Sequence, residues 1–255
     1  MINIAILISG RGSNAQAISK KCFSGKIPGN IVCFGSDNKE AQGLKFAEEN
    51  NIPTFSINYK KIISSYSSNR NEFITPDDFD FEEIDHKIDF VPVKDREKYI
   101  KTRAVAEKEL LDKLSEYKPD LLVLAGFMRT LTPYFIDRYS PDELKPLIMN
   151  IHPAILPAFP GIDGYGDTFN YGCKIGGCTV HFVDYGTDSG PIIAQKSFEI
   201  LPGETLTDIK KKGLEIEWEL FPHAVKLFAE NRLKIKLNTC SKENRSKSRK
   251  TVEIL

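Results

Sequence analysis

The sequence predicts an α/β protein: a Rossmann-like, mostly parallel sheet with an antiparallel addition and helices on both faces. Three observations carry that prediction. Strand-length apolar runs alternate with amphipathic stretches early in the 255-residue chain, as strand–helix–strand units require. Strand-like runs crowd the later part, which suits antiparallel strands added at one edge. A glycine-bearing turn, GRGSN, follows the first strand directly, where open α/β sheets open into a ligand crevice.

The elements follow in order. NIAILIS (residues 3–9) is a buried strand, and an amphipathic helix starts at about Asn14. IVCFGS is a second strand, and NKEAQGLKFAEENN a helix beginning near Asn38. KPDLLVLAGF is so uniformly apolar that it belongs at the centre of a sheet covered on both faces. PLIMNIH, GCTVHFVD and PIIAQKSFEI supply three more strands. A last helix spans about residues 204–230, with Thr205 or Thr207 as its cap and Pro222 as a kink. These elements define one domain over residues 1–236.

Two segments stand outside the pattern. Residues 58–94 are polar, acidic in TPDDFDFEEIDHKIDF, and lack clear helical periodicity. They are expected to be a peripheral, more mobile insertion, with room for a local hairpin. Phe73, Phe79, Phe81, Phe90 and Val91 would form a small satellite cluster there. Residues 237–255 form a basic tail of a composition that stays disordered.

Composition bounds the class. Apolar residues at 41% and charged residues at 27% are ordinary for a globular chain. Lys+Arg and Asp+Glu balance at 35 each, so no net field favours nucleic acid or a membrane. The N-terminal apolar run lacks a basic leader and reads as a strand, not a signal peptide. No run approaches the roughly 20 apolar residues of a membrane span. Five cysteines without framework spacing suit a reducing compartment. Cys173 and Cys178 have no second Cys/His pair at zinc-site spacing, so no metal is expected. The chain is expected to be cytoplasmic, a monomer or homodimer acting on small molecules.

The chemistry concentrates in NIHPAILPAFPG. Its prolines exclude helix and fix His152 at a strand end that opens into a loop. Asn150, two residues earlier, points to the same side of an extended strand. An amide N–H and an imidazolium N–H then converge on one oxygen, as a developing oxyanion requires. The blander reading is a histidine that fills a turn. In VHFVDYGTDSGPI, Asp188 sits in a turn, and its charge is expected to raise the pKa of His152 so that it serves as an acid near neutral pH. His181 lies inside a strand-like run and is expected to be a core histidine. Gly12, Ser13 and Asn14 form a candidate phosphate cradle at a helix N-terminus. They lack the third glycine of a dinucleotide fingerprint and the lysine of a P-loop.

Together ILISGRGSNAQAI, LLVLAGFMRTLTPYFI, NIHPAILPAFPG and TVHFVDYGTDSGPIIAQ resemble the phosphoribosylglycinamide formyltransferase family, folate-dependent enzymes of purine synthesis. The resemblance covers residues 1–57 and 95–236. It implies the formyltransferase fold. It also implies transfer of a formyl group from 10-formyltetrahydrofolate, the co-substrate, to the amine of glycinamide ribonucleotide, with no metal. It gives catalytic roles to Asn150, His152 and Asp188, and the ribonucleotide to Gly12, Ser13, Asn14 and Glu217. It gives the folate to Arg96 (in KDREKY), Met128, Arg129, Thr130, Leu131, Asp184, Tyr185, Gly186 and Thr187.

The sequence departs from the family pattern in IDGYGDTF (residues 162–169), where histidine or other polar residues are usual, and at Leu214, often polar. Other formyltetrahydrofolate enzymes share the Asn-x-His…Asp set. A hydrolase and a methionyl-tRNA formyltransferase are disfavoured because the extra domains they carry do not stand beside this core. A sugar-nucleotide N-formyltransferase stays open. A non-catalytic folate-binding protein is disfavoured by the intact trio.

Overall fold

In a computed structural model that describes every residue but 89, 243 and 244, and the backbone alone at 239–242 and 245–247, the chain begins with β1 (Ile2–Ile8). Its side chains alternate between two cores, as a strand covered on both faces must. Ile4, Ile6 and Ile8 enter one cluster, and Ala5 and Leu7 enter the other. β2 (Gly29–Ser36), β3 (Thr54–Ser56), β4 (Leu121–Leu124), β5 (Ile148–His152), β6 (Ile175–Phe182) and β7 (Ile192–Glu199) complete a seven-stranded sheet in the order β3-β2-β1-β4-β5-β6-β7. β3 to β5 in that order pair in parallel; β6 and β7 are the antiparallel addition. β4 is central with all four residues buried. The edge strand β3 was too short to stand out in the sequence.

α1 (Ser13–Phe23), α2 (Gln42–Glu49) and α8 (Leu206–Ala229) pack into the first cluster. α3 (Tyr59–Ser68), α5 (Val93–Ser115) and α6 (Pro133–Tyr139) pack into the second. The short helices α4 (Phe81–Asp85) and α7 (Gly164–Asn170) complete the set. Thr205 caps α8: its hydroxyl accepts from the Asp208 N–H, and the Asp208 carboxylate accepts from the Thr205 N–H at 2.9 Å. α2 starts later than expected. Asn38 accepts from the Glu40 N–H at 3.1 Å, so a side-chain turn occupies the residues expected to open the helix.

The segment at 58–94 differs most from expectation. It is helical, through α3, a 3-10 turn at Arg70–Glu72, and α4, and it contains no hairpin among the described residues. Tyr59, Ile62 and Tyr66 repeat at helical spacing and are buried, a stripe that the polar average conceals. Ile84, Ile88 and Val91 join Ile100, Ala104 and Tyr134 in a third core cluster, with Phe79, Phe81 and Phe90 at its rim. Phe73 packs instead against the second cluster. The segment thus forms the expected satellite cluster with Phe79, Phe81, Phe90 and Val91, packed against α5 and α6.

The tail also departs from expectation. Where composition led to an expectation of disorder, β8 (Leu233–Lys242) pairs antiparallel with β9 (Arg245–Ile254). Residues 243 and 244, which the expectation also covered, lie outside the described residues. Leu233, Ile235 and Val252 set apolar side chains against the main core, a two-residue alternation that average composition hides. Among the described residues, no helix is long and apolar enough to cross a membrane.

Ile84 is 3% exposed. Ile84→Ala is expected to lower the unfolding free energy by about 2–4 kcal/mol, read by urea denaturation. A loss under about 0.5 kcal/mol, the scale of a surface substitution, would place the segment outside the cooperative core.

Candidate active site

A cleft of about 510 Å³ opens where β1, β4 and β5 end. Carboxyl ends of parallel strands are where open α/β sheets hold ligands, because backbone N–H groups and loop side chains point into one crevice there. Gly12, Ser13, Asn14, Met128, Arg129, Thr130, Leu131, Asn150, His152, Asp184, Gly186, Thr187, Asp188 and Glu217 all line it. The structure brings together nearly every residue that the sequence singles out.

The polar centre depends on strand register. Asn150 and His152 share one face of β5, and the antiparallel pairing sets His181 of β6 directly opposite Asn150. Asp188 then closes the group. Its Oδ2 accepts from the Gly161 N–H at 2.8 Å and lies 3.1 Å from His152 Nδ1. Its Oδ1 lies 3.4 Å from Asn150 Nδ2 and 3.5 Å from His181 Nε2. Asn150 Nδ2 is also 3.3 Å from His181 Nε2. His181 is therefore a member of the site. It is buried, as expected of a core histidine, but its ring faces the carboxylate. No single strand reveals its cross-strand partner, so the sequence reading missed it.

The electrostatics correct one expectation. Burial pulls the His152 pKa below its ordinary value and outweighs the Asp188 charge that pushes it up. His152 is only 2% exposed, so the loss of water around the imidazolium decides the sign. The expected net rise does not occur. Asp188 moves the other way from burial. Desolvation alone would raise its pKa, but the His181 contact, the His152 charge and the Gly161 N–H together leave it below the usual carboxylate value. The second ring nitrogen of His152, Nε2, lies 2.7 Å from the Phe159 carbonyl oxygen. Acceptors thus flank both nitrogens, and the cation is the form that satisfies both.

At the other end of the cleft, Gly12 precedes α1 with φ of 69°, a left-handed turn that glycine adopts without strain. The N-terminus of α1 therefore faces the cleft through Gly12, Ser13 and Asn14. Asn14 Nδ2 donates to Glu217 Oε2 at 2.7 Å, and Tyr165 donates to Oε1 at 2.6 Å. Burial raises the Glu217 pKa, and these two donors counter it.

Along the Met128–Leu131 wall, Arg129 donates from Nε to Asp37 at 2.5 Å and stacks over the Tyr59 ring, 5.1 Å from its centre. Below this wall, Glu107 is fully buried and accepts from Thr132 N–H and hydroxyl at 2.8 and 2.5 Å. Burial pushes its pKa up to about 7.

Two expected folate residues are elsewhere. Arg96 donates to the Val91 carbonyl at 3.1 and 3.2 Å and pairs with Asp85 at 3.4 Å, tying the start of α5 to α4. It does not line the cleft. About two turns along α5, Arg103 instead packs 5.0 Å from the Tyr59 ring on which Arg129 also stacks. Tyr185 turns away too: its hydroxyl donates to Asp137, and Lys87 sits 5.4 Å over its ring. Adjacent loop residues point apart, and Tyr185 packs against the second core while Asp184 and Gly186 face the cleft.

Comparison with known proteins follows the same lines. Residues 2–225 match the family model described as formyl transferase. The chain is 32% identical over 237 residues to phosphoribosylglycinamide formyltransferase of Escherichia coli, covering 93% of this chain and 92% of that one. It is 33% identical over 238 residues to the Haemophilus influenzae protein of the same name, with coverage of 93% and 92%. Among solved structures, glycinamide ribonucleotide transformylase 1 from Symbiobacterium toebii aligns with a TM-score of 0.74 at 32% identity, covering 100% of this chain and 94% of that one.

His152 is expected to titrate below its ordinary value of 6.5. Asp188→Asn removes the charge that opposes burial, so the titration should move lower still. Imidazole NMR reads both shifts. A wild-type titration above 6.5 would show the carboxylate outweighing burial.

Proposed function

The chain belongs to the formyl transferase family, and we propose that it transfers the formyl group of 10-formyltetrahydrofolate to the amine of glycinamide ribonucleotide, the reaction of its phosphoribosylglycinamide formyltransferase relatives. The observation that carries the reading is the Asn150–His152–Asp188 cluster at the middle of a cleft with a helix N-terminus at one end.

The residues divide the work along the cleft. The N-terminus of α1, at Gly12–Asn14, offers free backbone N–H groups to the phosphate of the ribonucleotide. Glu217 and Asn14 meet its sugar end. The backbone and side chains of Met128–Leu131 and of Asp184, Gly186 and Thr187 form the wall for the formyl-folate, with Arg129 fixed by Asp37. The geometry suits a planar ring held by backbone groups and a formyl carbon delivered to the middle.

Burial lowers the His152 pKa and so favours the neutral ring that can accept a proton. On attack His152 Nε2, exchanging its contact with the Phe159 carbonyl, takes the proton that the amine sheds, and Asp188 stabilises the resulting imidazolium at Nδ1. Asn150 and the imidazolium then hold the oxyanion of the tetrahedral intermediate. The amide contacts of Asn150, at 3.3 and 3.4 Å, are long and exchange readily for a shorter bond to a charged oxygen. As the intermediate collapses, His152 returns the proton to the departing folate nitrogen. No covalent enzyme intermediate is required.

The reading takes residues 1–236 as the catalytic unit, working in the cytoplasm as a monomer or homodimer. The even balance of 35 basic and 35 acidic residues supports small substrates over a polyanionic partner.

The test is formyl transfer by the purified protein with 10-formyltetrahydrofolate and a panel of amine acceptors. Glycinamide ribonucleotide is the expected acceptor. Transfer to sugar nucleotides only, or hydrolysis without acceptor, would overturn the reading. Asn150→Ala is expected to lower kcat on the order of a hundredfold or more, the scale of a lost oxyanion donor. His152→Ala should lose at least as much, since it removes a donor and the proton carrier, and circular dichroism should show both variants folded.

A further inference from the structure

We propose that Tyr165 is a positioning residue for the acceptor side of the cleft, fixing the Glu217 carboxylate from a notch that Gly213 leaves for its ring. The proposal rests on the reading that the acceptor binds beside Asn14 and Glu217.

Tyr165 on α7 is 5% exposed, and Glu217 on α8 is also 5% exposed. The phenol donates to Glu217 Oε1 at 2.6 Å, and Asn14 donates to Oε2 at 2.7 Å. Each carboxylate oxygen thus holds one protein donor and keeps capacity for a second. Asn14 Oδ1 is buried without a hydrogen-bond partner. Asn14 and Glu217 both line the cleft, so this end presents the free acceptor capacity of the carboxylate and of Asn14 Oδ1. That chemistry selects a donor-rich group, such as a sugar diol. Leu214, one turn before Glu217, also lines the cleft but adds no polar atom. The recognition there falls to the carboxylate, and its orientation matters accordingly.

Residues 165 and 213 are a matched pair. A Cβ at Gly213 would lie 2.1 Å from Tyr165 Cζ and 2.3 Å from its hydroxyl oxygen. The ring occupies this position only because residue 213 has no side chain. Phe198 flanks the ring at a centroid distance of 6.3 Å. Lys210 pairs with Asp163 at 3.2 Å, a second tie between the start of α7 and α8. Tyr165 lies inside IDGYGDTF (residues 162–169).

Tyr165→Phe keeps the ring and its packing and removes only the donor. The expected result is a roughly five- to tenfold rise in KM for glycinamide ribonucleotide, the scale of one ordinary net hydrogen bond, because the loss acts through the carboxylate's orientation. The folate KM and kcat should stay within about twofold. Gly213→Ala displaces the ring with the hydroxyl still present and should give the same selective rise. Adding Tyr165→Phe to Glu217→Gln should raise KM no further than Glu217→Gln alone, because the two act as one unit. An unchanged acceptor KM in Tyr165→Phe, or equal losses in both substrates, would overturn the proposal. If the wild type uses a different amine acceptor, the functional reading fails, and the same KM comparison made with that acceptor still decides the role of Tyr165. A wild type that formylates no acceptor overturns both.

Discussion

The site depends on one pairing, that of β5 with β6. In this antiparallel register Asn150 stands opposite His181, and His152 opposite Thr179. A slip of one residue would turn every side chain of β6 to the other face and remove His181 from Asp188. The parallel strands could hold the cleft without β6, but they could not assemble its polar centre. The added antiparallel edge is what brings His181 to the carboxylate that His152 of β5 also faces.

That carboxylate sits in a backbone conformation few L-residues adopt, with φ of 50° at Asp188. The Gly161 N–H and the two imidazoles hold it there. Charge and burial oppose each other at both partners. Burial prevails at His152 and the donors prevail at Asp188, so both pKa values lie below their ordinary values. Acceptors stand at both nitrogens of the ring, Asp188 at Nδ1 and the Phe159 carbonyl at Nε2. The lowered pKa and the prepared contacts suit the proton-carrying role proposed for His152.

The walls of the cleft are built by segments far apart in sequence. Asp37 after β2 and Tyr59 on α3 together fix Arg129, and Glu107 on α5 fixes Thr132 just beyond it. The segment at 58–94 therefore supports the Met128–Leu131 wall through Tyr59, on which Arg129 stacks, and its aliphatic residues complete a core cluster. On the opposite side, α7 and α8 meet at Tyr165 and Glu217 through the space that Gly213 provides. Both walls rely on side chains that touch across more than forty positions of sequence.

The sequence by itself determined the sheet strands with long apolar runs, the capped helix at Thr205, and the residues of the cleft that sit in short motifs. Those signals are local: a strand alternates every two residues, a cap lies next to its helix, and Asn150 and His152 share a face because they are two residues apart. Tertiary structure decided the rest. Composition averaged away the buried stripe of Tyr59, Ile62 and Tyr66 and the alternating Leu233, Ile235 and Val252. A motif match placed Arg96 in the cleft, but the orientation of α5 turned it to Val91 and Asp85 and brought Arg103 to Tyr59. The direction of the His152 pKa depended on how much water the fold removes, and the membership of His181 on which strand lies beside it. Burial and cross-strand register are properties of the packed chain, and no stretch of sequence contains them alone.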